Sequence, residues 1–141
     1  NIYEEVKERL QKALELSEGT LEGLRLGISY YFRICDEMQD EVLVMYQEAK
    51  SLNKTALPYV LNKEIEMARM FEKLIVACLE NEEIELRADQ TYLLAHNIIV
   101  HGQMWAFRRW AIGKNFTIED YIDSQTDLLL KGITEGANIV R

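Results

Sequence analysis

The residues best suited to acid–base or metal chemistry are the two histidines, His96 and His101. They stand five apart in one uncharged stretch, about 140° around a helix, so they do not share a face. A zinc site of the HExxH type needs histidines at i and i+4. A carboxylate-bridged di-iron bundle needs a Glu at i−3 from each histidine. Neither spacing is present. No serine or cysteine has a nearby base at readable spacing. Gly19, Gly23 and Gly27 are scattered along a cap and a helix rather than forming a phosphate loop. The pairs Glu4–Glu5 and Glu82–Glu83 lie in solvated charge runs. Cys35 and Cys78 lie in apolar stretches without a CxxC partner, so both are expected to be buried, reduced thiols, which suits a cytoplasmic protein. These patterns predict no metal, no cofactor and no enzyme. Two rival readings stay open: a helical-bundle catalyst using His96 or His101, and a helical adaptor without a small ligand.

What remains is binding chemistry. Met45, Met67, Met70 and Met104 recur at helical spacing, and methionine lines adaptable apolar pockets because its unbranched side chain repacks easily. Tyr30, Tyr31, Tyr46, Tyr92 and His96 supply the few polar tips that such a pocket uses.

Helices must position these residues. The chain of 141 residues has one proline and seven glycines, too little turn punctuation for many short strands. Its hydrophobic content of 48% and net charge of −8 describe one globular, acidic domain, a poor nucleic-acid binder as it stands. Apolar spacing predicts six helices. The first spans Ile2 to Leu16; the second carries Leu21, Leu24, Ile28, Tyr31, Phe32, Cys35 and Met38. Asp40 can cap a short third helix, followed by a polar joint from Ser51 to Thr55. Pro58 opens the fourth, which runs to about Asn81. Asp89 can cap the fifth, which ends near Gly113, a candidate left-handed residue. Thr117 and Asp120 have capping-box spacing at the start of the sixth.

From Gln90 to Phe107 no residue is charged, but Gln90, Thr91, His96, Asn97, His101 and Gln103 would be costly in lipid, so no membrane span is expected. A helix uncharged all round is instead expected to be central or at a large interface. It has two apolar faces: Leu93, His96, Val100, Met104 and Phe107 on one, and Ala95, Ile99, Gly102, Ala106 and Trp110 on the other. Gly102 and Ala106 would let another helix approach closely. With Tyr121, Gln125, Leu128, Leu129 and Gly132 of the sixth helix, this second face predicts a two-fold homodimer through a four-helix bundle.

Three stretches carry a family resemblance: Tyr46-Gln47-Glu48-Ala49-Lys50-Ser51-Leu52; the run from His101 through Gly102, Gln103, Met104 and Trp105 to Trp110; and Phe116-Thr117-Ile118-Glu119-Asp120-Tyr121 leading to Leu128-Leu129-Leu130-Lys131-Gly132-Ile133. Together they resemble the C-terminal ligand-binding and dimerisation domain of TetR-family transcriptional regulators. The resemblance implies that the whole of residues 1–141 is an effector-binding and dimerising domain. The second, fourth and fifth helices would enclose a pocket, and the fifth and sixth would form the dimer bundle. The first would lead from a helix-turn-helix domain that is expected upstream of Asn1 and through which alone operator DNA would be bound. The expected ligand contacts are Tyr31, Cys35, Met67, Met70, Phe71, His96, Val100 and Met104. The ligand would be an apolar small molecule, with an acyl-CoA thioester or lipid-like metabolite as its class. Arg33, Lys50, Lys54 and Lys63 are candidates for an anionic head group.

Overall fold

The computed structural model describes residues 2–17, 19–51 and 57–134; the side chains at 14, 16, 17, 46, 48–51, 132 and 134 lie outside the described residues. Among the described residues there are seven helices and no strand, so the fold is all-α. The helices are α1 (Ile2–Ser17), α2 (Leu21–Glu37), α3 (Gln39–Ser51), α4 (Leu57–Glu80), α5 (Ala88–Phe107), α6 (Arg109–Ile112) and α7 (Ile118–Thr134). None of them is long and apolar enough to cross a membrane.

Local chemistry sets the boundaries. Thr20 caps α2 by accepting the Gly23 N–H at 2.9 Å. Thr117 and Asp120 cap α7 reciprocally, at 3.1 and 3.3 Å, as their spacing predicts. Pro58 sits in the first turn of α4, where no intrahelical donor is missed. Three expected signals act differently. Asp40 lies inside the first turn of α3, because Met38, which closes α2, leads directly into that helix. Asp89 lies inside the first turn of α5. There Arg87 is the N-cap, its N–H is taken by Gln90 Oε1 at 3.0 Å, and the Asp89 carboxylate holds the Arg87 guanidinium. Gly113 is right-handed, with φ −65°, because the helix has already broken at Arg108. Arg108 leaves helical geometry at ψ 14°, and a new single turn, α6, begins at Arg109. Across that break the Arg109 guanidinium covers the Trp105 ring and that of Arg108 covers Trp110, so six expected helices become seven.

The centre of the molecule is α2 rather than the uncharged α5. It packs against α1, α3, α4, α5 and α7, and Leu24, Ile28, Tyr31, Phe32, Ile34 and Cys35 are buried nearly all round it. Gly27 brings α1 and α4 close: a Cβ there would stand 2.9 Å from Leu74 Cδ1 and 3.4 Å from Leu10 Cδ2. The turn between α1 and α2 is clipped to the end of α4. Gly19 takes φ +80°, its carbonyl accepts Asn81 Nδ2 at 3.0 Å, and Glu83 Oε1 accepts the Leu21 N–H at 3.1 Å. The Cys78 thiol completes the clip by donating to the Thr20 carbonyl at 3.1 Å.

Candidate binding cavity

Five helices line a cavity of about 180 Å³ that opens to the surface beside Leu61. Ile2 comes from α1, Tyr31 from α2, Val42 and Met45 from α3, Val60, Leu61, Glu64 and Met67 from α4, and Gln103 and Phe107 from α5. Among the described residues the lining is apolar apart from Tyr31, Glu64 and Gln103. Tyr31 is fully buried, with its hydroxyl donating to the Ile99 carbonyl at 2.9 Å and its ring edge-on to Phe71 at 5.5 Å. Burial pushes its phenol well above the ordinary range. Gln103 Nε2 donates to both oxygens of Glu64, at 3.0 and 3.2 Å. Burial raises the Glu64 carboxyl above its usual range, and the Gln103 hydrogen bond partly opposes that shift.

Of the expected ligand contacts, Tyr31 and Met67 line this cavity. Cys35 and Phe71 are buried in the core beside it, and Met70 is partly buried against that core. Val100 is exposed, and His96 and Met104 are half-buried. Most of the α5 face expected to pair two copies packs within the protomer instead, and of the face expected to line the pocket Phe107 reaches the cavity while Leu93 and Val100 are exposed. Ala95, Ile99, Gly102 and Ala106 pack inward, and the tight approach at Gly102 is made by the protomer's own Tyr31. Tyr121 is also internal, its ring against Phe32 and Trp105 and its hydroxyl donating to the His101 carbonyl. Gln125 reaches that hydroxyl at 3.4 Å and is half-buried, as is Leu129; Leu128 is 71% exposed and Trp110 68%. Gly132's surroundings lie outside the described residues. The outward surface of α5 is formed by Tyr92, Leu93 and Val100, each more than half exposed.

The cavity residues outside the expected ligand contacts are Ile2, Val42, Met45, Val60, Leu61, Glu64, Gln103 and Phe107, of which Met45 and Phe107 belong to the apolar sets that the spacing marks out. A signal for Glu64 exists: Val60, Glu64, Met67, Phe71, Leu74 and Cys78 recur alternately at four and three residues, which sets a carboxylate in the buried stripe of α4. Of the basic candidates for an anionic head group, Arg33 and Lys63 do not line the cavity. Arg33 pairs with Glu119 and Lys63 with Glu66, while Lys50 and Lys54 lie outside the described residues. The histidines do not converge: His96 stacks on Tyr92 at 4.4 Å, and His101 Nδ1 is bonded to the Asn97 carbonyl of its own helix. No cluster of three His, Cys, Asp or Glu side chains suited to a metal ion occurs among the described residues.

The chain is similar to the HTH-type transcriptional regulator HbdR of Aromatoleum sp. (strain CIB). The two are 25% identical over an alignment of 147 residues that takes in 100% of this chain and 63% of the relative. The chain thus spans less than two thirds of the length of the curated relative it matches. No family model matches the chain. No solved structure matches it either.

Proposed function

We propose that this chain is the effector-sensing and dimerising domain of a TetR-like transcriptional repressor in the cytoplasm, and not an enzyme. The observation that carries the reading is the cavity bounded by α1 to α5, with Ile2 of α1 in its wall. The similarity to an HTH-type regulator along the whole chain supports it. A ligand there touches α1, the helix that would lead to a DNA-reading segment. It regulates only if it binds one arrangement of α1 better than the other. Two reading heads must match half-sites spaced by about one DNA turn, roughly 34 Å, or multiples of it, so a shift of α1 in both protomers changes operator affinity. Operator DNA is bound through that upstream segment, since the acidic chain itself repels phosphate.

The dimer is formed through the outward surface of α5, centred on Leu93 and Val100, together with Leu128 of α7. Exposed apolar residues clustered on two neighbouring helices are costly in water and are relieved by a second copy of the same face. An adaptor without a ligand would leave the cavity without a role.

Native mass spectrometry tests the reading. The expected species is a dimer at twice the chain mass of 16.5 kDa, carrying an apolar co-purified molecule or accepting one. A monomer that takes up no small molecule counts against it. So does a gene whose full reading frame encodes no DNA-binding segment.

A further inference from the structure

The polar groups around the cavity are unequally used. Tyr31 spends its hydroxyl on the Ile99 carbonyl, and the Gln103 amide is spent on Glu64. A carboxylate offers about four acceptor sites, and one amide nitrogen leaves most of those on Glu64 unfilled. The ion pairs join other side chains, and among the described residues no Lys, Arg or His is paired with Glu64. A mostly buried carboxylate thus faces apolar walls with one neutral donor. Buried charge without a counter-ion is costly, and an incoming cation relieves that cost. An anionic group would add to it.

Size narrows the class. An apolar cavity of about 150 Å³ is enough to hold benzene. The cavity here, at about 180 Å³, has room for a single-ring or similarly compact body with a short arm. The apolar side chains of Val42, Met45, Leu61, Met67 and Phe107 would contact that body. Among the described residues Glu64 is the one ionic side chain in the lining.

We infer that the cavity takes a small amine, an ammonium group on a compact aromatic or aliphatic body, with the ammonium paired to the Glu64 carboxylate. The inference rests on the reading of this cavity as the effector site and names the ligand class. Glu64 also lies close to α1: its charge adds to the upward shift of the buried Tyr3 phenol, whose hydroxyl has no hydrogen-bond partner.

Three probes of matched shape separate the possibilities: phenethylamine, 2-phenylethanol and 3-phenylpropionate, each titrated calorimetrically into the whole chain and into Glu64→Gln. Phenethylamine is expected to bind at least about tenfold more tightly than the alcohol, the propionate to bind weakest, and Glu64→Gln to lose about tenfold for the amine while changing the alcohol by less than about twofold. Glu64→Asp, which keeps the charge one methylene further back, is expected to fall between them. It also serves as the test if Glu64→Gln fails to fold. Alcohol or propionate binding as tightly as the amine overturns the cationic class and leaves the cavity reading intact. No binding of any probe overturns both.

Discussion

The ring of Tyr31 occupies the space that a side chain at position 102 would need. A Cβ on Gly102 would stand 2.3 Å from Tyr31 Cε2. The ring has little room to retreat, because its hydroxyl is fixed on Ile99 and it is hemmed in by the rings of Phe32 and Phe71. Gly102→Ala is therefore expected to destabilise the chain by about 1–3 kcal/mol through overpacking, and larger residues by more. Urea unfolding checks this. An unchanged midpoint would show that α2 and α5 can separate without cost.

The outward surface of α5 gives a different outcome. Val100 and Leu128 are exposed, so Val100→Glu and Leu128→Glu remove no packing from the protomer. Each is expected to leave the unfolding midpoint nearly unchanged while converting a dimer to a monomer in light scattering. A carboxylate in a buried, self-complementary interface faces its own copy across the two-fold axis. A dimer that survives both substitutions places the contact elsewhere.

Glu64 makes stability depend on pH. Its folded-state carboxyl is raised by burial, so ionisation opposes folding at pH values above that raised range. The penalty is relieved as pH falls through the folded value, and it is absent once both folded and unfolded chains are protonated. Glu64→Gln is expected to melt above the parent chain at mildly alkaline pH, with the gap closing as the pH falls through the carboxyl's raised range. The neighbouring Tyr3, Tyr31 and Cys35 are all raised and do not titrate in this window. A constant gap across the range would show that the carboxylate is better solvated than its burial implies.

Both thiols are buried and resist ionisation: burial pushes Cys35 up to about 12 and Cys78 to about 11. Only the thiolate is nucleophilic. In the native chain iodoacetamide is expected to label neither cysteine, and both should react in denaturant. Mass spectrometry counts the adducts. Fast native labelling of Cys78 would show that the clip between its thiol and the Thr20 carbonyl opens readily.

Much of this protein is written locally. The apolar spacing determines the all-α class, and the short-range chemistry at Thr20, Pro58 and the Thr117–Asp120 box fixes where three helices begin. Buried thiols were legible for the same reason: Cys35 and Cys78 each sit within an apolar stripe. Periodicity groups side chains into faces but does not say what covers them. Both faces of α5 are apolar, so the sequence alone could not choose between them. The choice follows from Tyr31, whose ring fits over Gly102 and over no larger residue, and it turns Leu93 and Val100 outward. Glu64 stands in the buried stripe of α4 by spacing, yet its role depends on Gln103, a partner 39 residues away that only packing brings to 3.0 Å. Spacing along one helix sets which side chains travel together; the desolvation and shape of the neighbouring helices decide which become core, cavity or surface.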